Sequence, residues 1–168
     1  LLHIAGGAFL NCSFITSVSI PNSVTDIGQS AFEMCENLTS VSLSNSLTSI
    51  SWGTFAYCIN LNSIKLPNSI TTIGDHAFRG CGFSTVTIPN SVTVIENYAF
   101  QNENLCSVVL GNSVVSIGES AFETPDVLRT VVSLSETPPL LGNLAFVINP
   151  EYYIARSEER FSRNAETD

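Results

Sequence analysis

Apolar residues recur along this chain in a frame of 23 positions. The frame is clearest over residues 27–49, I-G-Q-S-A-F-E-M-C-E-N-L-T-S-V-S-L-S-N-S-L-T-S, and restarts at Ile50. One column is phenylalanine: Phe9, Phe32, Phe55, Phe78, Phe100, Phe122 and Phe146. The residue before it is Ala8, Ala31, Ala77, Ala99, Ala121 and Ala145, with Thr54 the one departure. Upstream stand Ile4, Ile27, Ile50, Ile73, Ile95 and Ile117, with Leu141 in the last copy. Downstream, three more apolar columns pass through Leu38, Val41 and Leu43, then Leu61, Ile64 and Leu66. The V-x-L part alternates with period two, which predicts a short strand with one face inward. A single coil cannot bury that face alone, so the coils must stack on one another. The G-x-x-A-F segment is too short for a stable isolated helix and predicts about one helical turn on the opposite wall, its Phe plugging the core.

The copies predict where regularity weakens. Those starting at Ile4, Ile27 and Ile50 fill the whole frame, whereas those starting at Ile73 and Ile95 are each one position shorter. The shortening falls at Cys81-Gly82-Phe83 and after Gln101-Asn102, between the turn and the strand, where loop length can change without moving strand register. Pro21, Pro67 and Pro89 follow the strand, where a missing N–H ends the ladder. The sixth copy begins at Ile117 but places Pro125 in the cysteine column and Ser133 in a leucine column, and Thr137-Pro138-Pro139 then leads to a last Leu141-Gly142-Asn143-Leu144-Ala145-Phe146. Terminal coils must cover an open core, so atypical copies are expected there. The predicted organisation is a solenoid over 1–161, with 137–161 as the C-terminal capping repeat and Tyr152, Tyr153, Ile154 and Phe161 as its lid. Residues 162–168 read as a polar tail.

Each copy carries the L-x-x-L-x-L spacing of a leucine-rich repeat. The string I-P-N-S-V-T-x-I-G-x-x-A-F-x-x-C-x-x-L-T-S-V, nearly complete from Ile20 to Val41, resembles the BspA-type, or treponemal-type, leucine-rich repeat. The closing T-P-P-L-L-G-N-L-A-F is similar to that family's last repeat, although Tyr153-Ile154-Ala155 lacks the proline of its usual Y-V-P ending. The resemblance implies an α/β repeat solenoid, a right-handed superhelix of about six coils, each of roughly 22–23 residues. It places short strands on the concave face and single helical turns on the opposite wall. It also implies an extracellular or cell-surface setting and adhesion to host, matrix or cell-surface partners.

Composition narrows this reading. With 44% hydrophobic and 12% charged residues, the 168-residue chain has the length of one domain, and abundant Ser, Thr, Asn, Val and Ile suit strands and turns. A net charge of −9 with only six Lys plus Arg argues against nucleic acid, which needs a basic stripe. No apolar run is long enough to span a membrane. The chain starts at Leu1 in mid-repeat, without an initiator Met or signal-peptide pattern, and reads as a piece of a longer array.

Candidate chemistry is sparse. Cys12, Cys35, Cys58 and Cys81 recur once per copy at the same point of the frame, unlike any C-x-x-C metal pattern. Stacking brings them close, but parallel Cβ vectors about 4.8 Å apart fit a disulfide poorly, so a ladder of buried free thiols is expected. Cys106 falls in the Thr39 column on the outer side of the strand, where an exposed thiol would be able to cross-link two chains. His3 and His76 lie in different columns and assemble neither a triad nor a zinc site; Asp75-His76 reads as a solvated flank of the turn. Trp52 is outward, an anchor for a partner or an incidental aromatic. Asn22, Asn45, Asn68, Asn90 and Asn112, each followed by Ser, read as turn residues forming side-chain ladders. Asn11-Cys12-Ser13 and Asn37-Leu38-Thr39 match a glycosylation acceptor, relevant only in a eukaryotic secretory route.

No enzyme, cofactor or metal site emerges. The expected function is a non-enzymatic interaction or adhesion module for a protein or glycan. Its binding face would be the outward strand residues Ser17, Ser19, Ser40, Ser42, Ser63, Lys65, Thr85, Thr87, Ser107 and Val109, hydroxyl-rich and extended. That face lacks the Trp, Tyr and Arg that dominate hot spots. The alternative is a structural spacer with no ligand of its own. The rows Ser23/Thr25, Ser46/Thr48, Ser69/Thr71 and Ser91/Thr93 also raise an ice-binding array, weakened by curvature and by the break at Val115.

Overall fold

The period-two segments form strands in a computed structural model that describes residues 2–124 and 127–146. In chain order the strands are β1 (Leu2–Ile4), β2 (Ser17–Ser19), β3 (Val24–Ile27), β4 (Ser40–Ser42), β5 (Ser49–Ile50) and β6 (Thr72–Ile73). There follow β7 (Thr85–Thr87), β8 (Val94–Ile95), β9 (Ser107–Leu110), β10 (Ser116–Ile117), β11 (Thr130–Ser133) and β12 (Leu140–Leu141). Each pairs in parallel with the equivalent segment of a neighbouring coil, the arrangement a stacked solenoid requires.

Two ladders run along the stack. The V-x-L segments make the expected one, with β2 on β4 and β7–β9–β11 beside each other. It is interrupted in the third coil, where residues 63–65 form no strand. The second ladder passes through the upstream isoleucine column as β5–β6–β8–β10–β12, with β1 on β3. Register survives the shortened coils: Ile73 pairs with Ile95, Thr85 with Ser107, and Ser107 with Thr130. Ser133, out of pattern in the sequence, is buried in β11 opposite Leu110, and its Oγ accepts from the Ser135 N–H.

The G-x-x-A-F wall departs from expectation, because the described residues contain no helix. Consecutive N–H groups there alternate between two kinds of acceptor. Those of Ala31, Glu33 and Cys35 donate to Gly28, Ser30 and Phe32 within the same turn, while those of Ser30, Phe32 and Met34 donate to Trp52, Thr54 and Ala56 of the next coil. A helix would need every N–H for its own i−4 carbonyl, so the inter-coil bonds displace it. The alternation also forces left-handed backbone once or twice per coil: Ser30 (φ 55°) and Met34 (φ 59°), Gly53 (59°) and Tyr57 (59°), His76 (58°) and Gly80 (68°). Packing of the coils is close. A Cβ on Gly28 would sit 2.4 Å from Gly6 N, and one on Gly74 would sit 2.7 Å from Ile50 O, which explains the glycine that opens the motif.

The core is a set of stacked columns. The phenylalanine rings form a continuous pile from Phe9 to Phe146, with centroids 5.0–5.6 Å apart and planes within 15° of parallel. Phe32, Phe55, Phe78, Phe100 and Phe122 are buried, while Phe9 is 38% exposed and Phe146 half-buried. Phe83, which replaces leucine in a shortened coil, is buried against Phe78 and Phe100. Thr54, the exception in the alanine column, is buried with its hydroxyl donating to Ser51 O at 2.8 Å. Residues 125 and 126, and the lid and tail expected from residue 147 onward, lie outside the described residues.

The cysteine column is a ladder of free thiols. In the second to fourth coils the Sγ–H donates to the phenylalanine carbonyl of the preceding coil: Cys35 to Phe9 (3.1 Å), Cys58 to Phe32 (3.2 Å) and Cys81 to Phe55 (3.2 Å). Burial raises the Cys58 thiol to about 12, with the neighbouring Cys35 adding to the rise, and pushes Cys81 well above its ordinary value. These thiols are packing groups and poor nucleophiles.

Two outcomes follow from the stacked core. Phe55→Ala or Phe78→Ala should lower stability in chemical denaturation by about 3–5 kcal/mol, and Phe146→Ala by clearly less, since Phe146 is half-buried and among the described residues stacks on Phe122 alone; equal losses would contradict a linear array. Alkaline pH should destabilise the fold through Cys58. Above the ordinary thiol pKa of 9.0 the unfolded chain releases this proton while the folded chain holds it to about 12, so stability falls across that window by about 1.4 kcal/mol per pH unit. Cys58→Ala should flatten the slope, and an unchanged slope would show that the thiol ionises alike in both states.

Candidate functional site

The outward residues of the V-x-L ladder come together as the alternation requires. Ser17 lies beside Ser40 and Ser19 beside Ser42, while Thr85 lies beside Ser107 and Thr87 beside Val109. Ser17, Ser19, Ser40, Ser42, Ser63, Lys65, Thr85 and Thr87 are exposed, and Ser107 and Val109 are half-buried. The residues between them, Val18, Val41, Val86 and Val108, face the core. Among the described residues, the hydroxyls of Ser17, Ser19, Ser40, Ser42, Ser63, Thr85, Thr87 and Ser107 make no hydrogen bond to another protein group. Ser63 and Lys65 sit where the ladder is interrupted, and Lys65 supplies the one ammonium group among the ten.

Other polar columns are committed to holding coils together. Thr71 Oγ1 donates to Thr48 O (3.1 Å) and Thr93 Oγ1 to Thr71 O (3.2 Å), so these hydroxyls are not a free array facing solvent. The asparagine turns form the expected ladder in part, with Asn45 N–H donating to Asn22 Oδ1 and Asn112 N–H to Asn90 Oδ1. Cys106 is half-buried, with its thiol donating to Asn104 O at 3.3 Å. His3 pairs with Asp26 at the surface, and no group of three His, Cys, Asp or Glu gathers at metal-ligand spacing among the described residues.

The turn wall carries a cluster that column-by-column reading missed. The Trp52 ring lies 5.8 Å from the His76 ring, which lies 4.9 Å from the Tyr98 ring. The Arg79 guanidinium sits 5.8 Å from the Tyr57 ring and 5.7 Å from the Tyr98 ring, within cation–π range of both. His76 is therefore held between aromatics and paired through Nδ1 with Asp75, where the sequence suggested a solvated flank. The Glu119 carboxylate raises the Tyr98 phenol above its ordinary value; partial burial and Glu123 add to this and Arg79 opposes it. Trp52 and Tyr57 remain 44% and 37% exposed. In the frame of columns Trp52 stands beside Asp75. Its ring crosses to the next column, and only side-chain length hinted at that.

Comparison with known proteins agrees with this geometry. The model of the BspA type leucine rich repeat region matches residues 2–124 and 48–147, in six copies. The crystal structure of a leucine-rich repeat protein of T. pallidum is similar at 31% identity and a TM-score of 0.85, over 99% of this chain and 78% of that one. A leucine-rich repeat protein of Bacteroides ovatus, at 24% identity and a TM-score of 0.57, covers 87% of this chain and 56% of its own, and shares the fold. No curated protein matches the chain. Leucine-rich repeats are protein-interaction scaffolds, generally without enzymatic activity. With six repeat copies and a match spanning nearly all its described residues, the chain belongs to the BspA type leucine-rich repeat family.

Proposed function

We propose that the chain is a non-enzymatic adhesion module of a secreted or cell-surface protein, binding a host, matrix or cell-surface protein or glycan through the outer side of the V-x-L ladder. The observation that carries this is the outward row from Ser17 to Val109, exposed as far as Thr87. Its hydroxyls have no protein partners, and its backbone is fixed by inward valines in the core. Within β2–β4 and within β7–β9 the row offers donors and acceptors at the repeat of about 4.8 Å between parallel strands, a spacing that suits an extended partner. Membership of a repeat scaffold family supports an interaction role, and the family resemblance supports the location outside the cell.

The test is binding to a panel of extracellular-matrix proteins, host receptors and glycans, beside a variant carrying Ser42→Glu, Lys65→Glu and Thr87→Glu. These side chains point away from the core, so the variant should keep its circular dichroism spectrum and lose affinity by about tenfold or more, the scale of a hot-spot loss. Unchanged affinity would remove the ladder from the interface. Absence of any partner for either protein would favour a spacer that holds neighbouring domains apart.

A further inference from the structure

We infer that the turn wall holds a second binding site, a cleft that takes a neutral sugar ring. The cleft measures about 470 Å³ and is bounded by Tyr57, Arg79, Gln101, Asn102, Glu103 and Glu123. It lies on the G-x-x-A-F wall, apart from the V-x-L ladder, and the inference does not depend on how the ladder is used.

The sequence explains why the wall opens here. In the column that runs Met34, Tyr57, Gly80, Asn102, only glycine presents no side chain, and a gap is left between Tyr57 and Asn102. Gly80 shares the left-handed backbone of Met34 and Tyr57 in its column (φ 68°), and it is held to glycine by the Tyr57 ring, whose Cδ1 a Cβ there would meet at 2.7 Å. The next coil has lost the cysteine of its column, and the Asn102 side chain closes that loop, its Oδ1 accepting from the N–H groups of Asn104 (2.7 Å) and Leu105 (2.8 Å).

Closing the loop leaves polar groups unspent. Asn102 is 5% exposed, and its Nδ2 has no protein partner. Beside it, Gln101 Nε2 donates to Glu123 Oε2 (2.7 Å), while Gln101 Oε1 is buried without a partner. Buried polar groups are nearly always paired, and two such atoms on adjacent residues lining one cleft point to a ligand that supplies their partners. One of these atoms donates and the other accepts. A sugar hydroxyl does both, and the apolar face of a pyranose can lie against the Tyr57 ring. Charge selects the same class: the Arg79 guanidinium disfavours a cationic ligand, while Glu103 and Glu123 disfavour an anionic one. A neutral polyol meets neither repulsion.

The experiment is a titration of the ¹⁵N-labelled chain with glucose, galactose, mannose and N-acetylglucosamine, following backbone amides by NMR. At least one sugar should shift the amides of Gly80, Gly82, Asn102 and Asn104 saturably while those of Ser17, Ser40 and Thr85 stay in place. Asn102→Asp keeps the oxygen that closes the loop and removes the Nδ2 donor. Tyr57→Asn removes the ring at a left-handed position that Asn tolerates. Each should weaken the sugar about tenfold, and the Ser42/Lys65/Thr87 triple-Glu variant should respond as the parent does. No shift with any of the four sugars would overturn the inference, as would full affinity in either cleft variant. A response to N-acetylarginine amide in place of the sugars would overturn it too, since the cleft would then receive a partner's cation.

Discussion

Every coil of this chain must find hydrogen-bond partners for its backbone in the coils on either side, and the rest of the structure follows from that requirement. Strands of two to four residues are too short to persist alone, yet each is held because its neighbours repeat it. On the turn wall the same demand is met by alternation, one N–H turning back within the coil and the next reaching forward. Left-handed residues at Ser30, His76 and Tyr98 are the geometric result. The stacked phenylalanines and the thiols bonded to their carbonyls fill the space that this spacing leaves.

The sequence was legible wherever one column maps to one structural role. The phenylalanine, isoleucine and cysteine columns could be read directly as core, and the hydroxyl row as the outer side of a strand, because a fixed period places like residues in like surroundings. The turn wall was not legible in the same way. Local propensity suggested a helical turn over G-x-x-A-F, but the acceptors that decide its conformation lie almost a whole coil away along the chain, as Trp52 does from Ser30. The second ladder was missed for a related reason. Its central members are two residues long, as at Thr72–Ile73, too short to show period two. The aromatic cluster escaped because Trp52 and His76 occupy different columns and meet only through the reach of their side chains.

The two exposed surfaces differ in chemical character. The V-x-L ladder is uniform, small and hydroxylic, with Lys65 as its single cation. The opposite wall concentrates Trp52, Tyr57, His76, Arg79 and Tyr98 within three successive coils, beside the cleft that Gly80 opens. The irregular coils are also the chemically distinctive ones. Where cysteine gives way at the fifth coil, Asn102 takes over the loop and brings unpaired amide groups with it.

Because register passes intact through coils of unequal length, the number of coils is a free variable for evolution. Duplicating one unit would extend the rod by about 4.8 Å and add one row to each wall without disturbing the rows already present. A lineage can thus lengthen or shorten the molecule in fixed steps, setting how far it reaches separately from what each wall displays. The stack behaves as a graduated rule whose markings are its coils.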